Sequence, residues 1–228
     1  MTTQSAPEVP FPPAPGHRRA GLAGPGGCGG AAGGAGACGL VRSVRHKPGG
    51  PVSPDEVGGR RTLMSAERWR RGYALLSRHG LHFDLQTPWW NLHEAAVLAR
   101  DFPDTLIVLN HAGLPARRDE AALGRWREAM AGFAECPNAR AKISGLGLRG
   151  RPWRAEENRW IVRETIALFS AERCMFASNF PVDSLCGSFD TIFSGFRSIV
   201  MDPPRAEQAR LFRDTAREVY RTSPAGQA

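Results

Sequence analysis

Four apolar runs in this chain end on side chains that can do chemistry: Gln86 after "LHFDL", Asn110 and His111 after "LIVL", Lys142 and Ser144 in "AKIS", and Ser178 and Asn179 after "RCMFA". An imidazole, an ammonium, three amides and hydroxyls suit proton exchange, carbonyl polarisation and anion binding. General acid–base catalysis needs a group that can take and return a proton. Asn179 cannot do this, and the nearest acid is Asp183, four residues on. Each residue also has a plainer role. A lone His at the end of a buried run can be a satisfied structural group, and Asn179 suits the turn before Pro181 in its own right. Lys142 inside a strand needs a partner if buried, or it can snorkel to the strand edge. Gln86 can orient a substrate or pair with backbone. Trp89 and Trp90 read as packing against the next helix more than as a pocket wall. Cys186 reads as an inert loop thiol, because no His neighbours it in sequence.

The elements that would position these groups alternate regularly. Strands are expected at 39–47, 81–87, 104–111, 139–144 and 173–178; Leu106 to Leu109 is continuously apolar, as a strand buried on both faces requires. Helical stripes separate them: Trp69, Tyr73 and Leu76 in a helix opened by Ser65 and closed by Gly80; Leu92, Ala95, Ala96 and Ala99; Leu123, Trp126, Met130 and Phe133; Ile161, Thr165, Leu168 and Phe169. Two more helices are expected near 189–199 and 205–221. Strands alternating with helices of this length indicate βαβ units and a parallel sheet, whose C-terminal strand edge is where sites are built. Neither Gly-x-Gly-x-x-Gly nor a phosphate loop follows any strand.

Composition narrows the function classes. Residues 1–40 hold 11 of the 26 glycines, mixed with Ala and Pro. Such a stretch lacks the bulk to offset about 1–2 kcal/mol per residue of ordering entropy, so 1–39 is expected to be a disordered low-complexity segment. It lacks the Leu-rich core of a signal peptide, and no membrane span is expected. The net charge of +8 is uneven: residues 1–80 carry 11 Lys+Arg against 4 Asp+Glu, and residues 81–228 carry 19 against 18. No nucleic-acid motif accompanies the basic end, so no nucleic-acid partner is expected. Five cysteines without a Cys-x-x-Cys pair suit a reducing cytoplasm.

"LIVLNHAGLP", "AKISGL" and "RCMFASNFPVD", in this order, resemble the amidohydrolase-related family of TIM-barrel hydrolases, in its sugar-lactone and pyrone-dicarboxylate lactonase branch. "FDLQTPWW" and "VRSVRHKP" resemble the same branch, so the resemblance spans residues 40–222, with 223–228 left as a tail. It implies a (β/α)8 barrel that cleaves a small carboxylated or lactone-like substrate by water attack at a carbonyl. It also implies that His111 binds a metal or polarises that carbonyl. Asn179 takes the place of the aspartate that serves as metal ligand and general base in the family. Arg45, His46 and Lys142 would face the same mouth, with Gln86, and suit a small anionic substrate.

Two departures from the family shape the expectation. The chain has no His-x-His pair for a first strand, and at 228 residues it is short of the roughly 250 a full barrel uses. The expected fold is therefore α/β, an incomplete (β/α)8 barrel whose first strands are replaced by the Gly/Ala/Pro-rich segment. The site is expected to be metal-poor, with one divalent ion (zinc or manganese) only if the missing ligands are supplied. Asn179 for Asp removes a group whose general-base role is worth about 10²–10⁴ in rate, so Asp183 is the candidate replacement if its turn swings it over the mouth. Two alternatives stay open: an inactive truncated remnant, and a metal-dependent decarboxylase of the same superfamily. An open edge strand near 39–47 also favours self-association as a homo-oligomer.

Overall fold

The structure, a computed structural model, describes residues 41–222; the segments expected to be a disordered leader (1–39) and a tail (223–228) lie outside it. Among the described residues five strands form one sheet: β1 Ser43–His46, β2 His82–Leu85, β3 Ile107–Leu109, β4 Ala139–Ile143 and β5 Cys174–Phe176. Their order is sequential, β1-β2-β3-β4-β5, and every neighbouring pair is parallel. The connecting helices are α1 Glu67–Tyr73, α2 Leu75–Arg78, α3 Leu92–Asp101, α4 Glu120–Ala134, α5 Ala155–Phe169 and α6 Phe189–Ile199. A last helical stretch runs through α7 Arg205–Ala209, a π-turn at Arg210–Asp214, and α8 Thr215–Tyr220.

Sequential order has a direct consequence. When every right-handed crossover advances in the same direction, all the helices fall on one face of the sheet. Strand alternation then sorts the side chains between two environments. Phe83, Leu85, Ile107, Leu109, Ala139, Ala141, Ile143, Cys174 and Phe176 pack against the helices, meeting Trp69, Tyr73, Trp126, Phe133, Phe169 and Phe196 in one buried core. On the opposite face, Val108 and Met175 form a small cluster with Val219 of α8. This is the βα repeat of a TIM barrel with five of its eight strands among the described residues.

Local sequence sets the helix ends. Asp119 accepts from the Ala122 N–H at 3.0 Å to cap α4, and Ser188 accepts from the Thr191 N–H at 3.0 Å to cap α6. Ser65 does not open the first helix as expected. Its hydroxyl and the Thr62 backbone and hydroxyl instead bond the buried Glu94 carboxylate, which fastens the preceding loop onto α3, and Ala66 takes the N-cap position of α1. Gly80, with φ +60°, ends α2 as expected.

One close approach gives a stability prediction. A Cβ on Gly195 in α6 would lie 2.0 Å from Cζ3 of Trp153, a side chain 5% exposed and set edge-on to Phe196. Gly195→Ala gains helix propensity worth about 1 kcal/mol but overpacks a filled site, at a cost of about 1–3 kcal/mol or more. The expected outcome is a Tm lowered by several degrees, read by thermal melting followed by near-UV circular dichroism.

Candidate functional site

The backbone itself marks the tip of β3. His111, Ala112, Gly113 and Leu114 lie at φ +58°, +46°, +70° and +58°, a full left-handed turn that includes three residues with side chains. Each non-glycine residue in that region costs on the order of 1 kcal/mol or more, and such outliers persist only where surrounding structure over-determines them. Here Trp126 Nε1–H donates to the Ala112 carbonyl at 2.8 Å, and the Asn110 amide donates to the Leu85 carbonyl at 3.1 Å. Gly113 has no room to spare either, since a Cβ there would meet Trp89 Cβ at 3.3 Å.

The turn delivers a buried imidazole, His111 being 5% exposed, into a chain of polar contacts at the C-terminal ends of adjacent strands. Its Nε2 lies 3.1 Å from Nη2 of Arg45 on β1, and its Nδ1 lies 2.9 Å from the Ser144 hydroxyl just past β4. The same Arg45 nitrogen donates to Gln86 Oε1 at 2.7 Å. A guanidinium only donates. Nε2 must therefore carry the lone pair, and Nδ1 carries the proton that Ser144 Oγ accepts. Burial, reinforced by the charges of Arg45, Lys142 and Lys47, pulls the imidazole pKa from 6.5 down to about 4, so the ring is neutral at pH 7. Arg45 itself is exposed, and among the described residues its hydrogen-bond partners are the neutral Gln86 and His111 and no carboxylate pairs with it.

Asp183 comes from the turn after β5 and is 5% exposed. Oδ1 accepts from the Asn179 amide at 2.8 Å, while Oδ2 is buried without a hydrogen-bond partner among the described residues. Burial pushes the carboxyl above its ordinary range, opposed by the Asn179 amide and the Gly147 backbone. Asn179 sits at φ +57°, so it serves the turn and also orients the acid. One loop, residues 144–148, touches both halves of the site. A Cβ on Gly145 (φ +61°) would lie 2.7 Å from His111 Nδ1, and one on Gly147 would lie 3.4 Å from Asp183 Cγ.

Two expected substrate ligands are not where the sequence put them. His46 cannot share the mouth with Arg45, because adjacent strand residues point to opposite faces; its ring lies 6.0 Å from Trp69, in the helix layer. Lys142 is on the inner face but is not free to hold a substrate. Its ammonium lies 3.2 Å from Asp84 Oδ1 and donates to the Tyr220 hydroxyl at 2.8 Å. Ser43 and Tyr220 hydroxyls donate to the same Asp84 carboxylate at 2.6 and 2.7 Å. Burial pushes Asp84 up, but Lys142 and the two hydroxyls outweigh it and leave the carboxyl below its ordinary range. Trp89 and Trp90 line a groove of about 690 Å³ on the outer layer between α3 and α4.

Asp84 and Tyr220 are the polar groups that sequence reasoning did not place near the site; Ser144 was placed at a strand end but given no role. Asp84 stands two residues before Gln86, so strand alternation puts both on one face; Tyr220 gives no local signal. The described residues do not fit a divalent cation. The His111 lone pair faces a guanidinium instead of open space, and no three His, Cys, Asp or Glu side chains converge among them.

An amidohydrolase family model matches residues 29–222. The uncharacterized protein y4mH of Sinorhizobium fredii is 45% identical over 153 residues, covering 67% of this chain and 51% of that protein. An L-fucono-1,5-lactonase of Burkholderia multivorans is 33% identical over 123 residues, 45% of this chain and 42% of that enzyme. The chain thus spans about half the length of the curated relatives it matches. Among solved structures, an amidohydrolase from Burkholderia multivorans with bound zinc superimposes with a TM-score of 0.68 at 25% identity, over 79% of this chain and 64% of that one. Amidohydrolase 2 from Bifidobacterium longum subsp. infantis gives a TM-score of 0.57 at 23% identity, over 81% and 69%.

Proposed function

Because the chain belongs to the amidohydrolase family, we propose that it hydrolyses a small anionic cyclic ester of the lactone type, through water attack at the ring carbonyl. The observation that carries this reading is the Arg45–His111–Ser144 chain. It holds an exposed guanidinium in place through neutral acceptors, so its charge is left for a substrate. The similarity to L-fucono-1,5-lactonases supports the lactone class.

The residues divide the work as follows. Arg45 receives the substrate carboxylate and holds the ring so that water can reach the carbonyl carbon. Asp183 takes the proton from that water; its raised affinity for protons, a result of burial, then lets it return the proton to the ring oxygen as the carbon–oxygen bond breaks. One water and one lactone give one hydroxy acid, with Asp183 restored. His111, expected from sequence to polarise the carbonyl, offers Nε2 only as an acceptor here, so it steadies Arg45 in place of donating to substrate. Asn179 orients Asp183. No step requires a metal.

The test is a hydrolysis assay on a panel of sugar lactones and carboxylated lactones, with and without chelator. Metal-independent turnover is expected. In Arg45→Met, KM for a carboxylated lactone should rise at least about tenfold, the equivalent of one lost charge-assisted contact. No turnover of any panel member by a folded chain would overturn the reading in favour of an inactive barrel remnant.

A further inference from the structure

Ser144 is 1% exposed, lies one residue beyond β4, and has no part in the proton transfers above. We infer that it is a positioning residue: it fixes His111 in the Nδ1–H tautomer, and through the ring it sets where Arg45 presents its charge. The inference rests on the hydrolase reading only for its kinetic consequence; the tautomer itself follows from the contacts.

A neutral imidazole has one donor and one acceptor nitrogen, and the partner of one decides the role of the other. In His111 the two partners agree. Arg45 at 3.1 Å demands an acceptor at Nε2, and the Ser144 hydroxyl at 2.9 Å is in place to accept from Nδ1. The ring has little freedom to escape this arrangement. The left-handed turn fixes its backbone, and Gly145 brings the chain so close that a Cβ would fall 2.7 Å from Nδ1. Without the Ser144 hydroxyl the buried Nδ1–H would have no acceptor, and an unmet buried group costs more than the hydrogen bond itself contributes. Moving the proton to Nε2 removes that cost but sets an N–H against the N–H of Arg45. The guanidinium is then pushed off its position between Gln86 and His111. Ser144 therefore acts two contacts away from the charge it aims.

Proton-coupled ¹⁵N NMR of the histidine rings at neutral pH tests this, with His111 assigned by the signal lost in His111→Gln. The wild type should show Nδ1 protonated and Nε2 bare. Ser144→Ala should shift His111 to the Nε2–H tautomer and raise KM for a carboxylated lactone about tenfold with a smaller change in kcat, whereas Ser144→Thr, which keeps the hydroxyl, should restore both. An Nε2–H ring in the wild type, or an unchanged tautomer in Ser144→Ala, overturns the inference. The expected tautomers in a chain that hydrolyses none of the panel leave Ser144 in its role and overturn only the lactonase reading.

Discussion

Asp183→Asn is expected to lower kcat for lactone hydrolysis by about 10²–10⁴-fold, the usual worth of a positioned general base, and at the same time to make the protein more stable. The two effects share a cause. Asp183 is buried, with one carboxylate oxygen lacking any partner among the described residues, so its charged form is held at a cost to the fold. Burial raises its pKa above the ordinary 3.8. A carboxyl whose folded pKa lies above its unfolded one favours folding when protonated, and that contribution is lost as pH rises through the folded value. Asn has the same shape and never charges. The Tm difference between variant and wild type should therefore be small near pH 3.5 and widen towards neutrality. The catalytic rate of the wild type should fall as acid titrates the same group. His111 has the opposite sign: its pKa of about 4 lies below the ordinary 6.5, so its contribution to stability is present above pH 6.5 and is lost as pH falls towards 4. Because His111 is common to both proteins, it cancels in the difference. Steady-state kinetics with thermal melts between pH 3.5 and 7 check both halves. A variant with wild-type kcat would remove Asp183 from the mechanism.

The pattern of elements was legible in the sequence for a simple reason: a singly wound sheet writes itself as repeated local periods. Each of the five expected strands is present, and they pair in chain order. The tips were legible too, because polar residues that end a buried run must face water or a site, and Gln86, His111 and Asn179 all lie at such ends. What local pattern does not carry is which neighbours meet. Arg45 and His46 are adjacent in sequence and look like one basic cluster, yet alternation sends them to opposite faces. Strand parity applied to β1 would have separated them. Lys142 looked available because its partners are distant: Asp84 is 58 residues away, and Tyr220 is 78. Asp183 was legible for the opposite reason, since the amide that orients it is four residues away within one turn.

Those distant partners give the largest expected effect on stability. Lys142→Met should destabilise the protein by about 3–5 kcal/mol, because among the described residues it leaves the buried Asp84 carboxylate hydrogen-bonded to the Ser43 and Tyr220 hydroxyls alone. The side chains of Lys142 and Asp84 are 17% and 10% exposed, so little solvent is available to replace the lost ammonium. Removing both charges is a different experiment. Lys142→Met combined with Asp84→Asn takes away the unpaired anion along with its partner and should recover most of the loss, since a buried pair replaced as a unit is often close to neutral. The difference between the double variant and the sum of the two single ones measures the coupling. Urea denaturation of the four proteins supplies it, with a wild-type-like m-value showing that the same fold is being compared. By contrast, Glu67→Gln, which breaks the exposed pair with Arg71 on α1, should change stability by less than about 1 kcal/mol. If Lys142→Met behaved like that surface change, the Asp84–Lys142–Tyr220 cluster would be a solvated contact. It would then not be what pins α8 across the inner face, and the half-barrel would need another account of how that face is held closed.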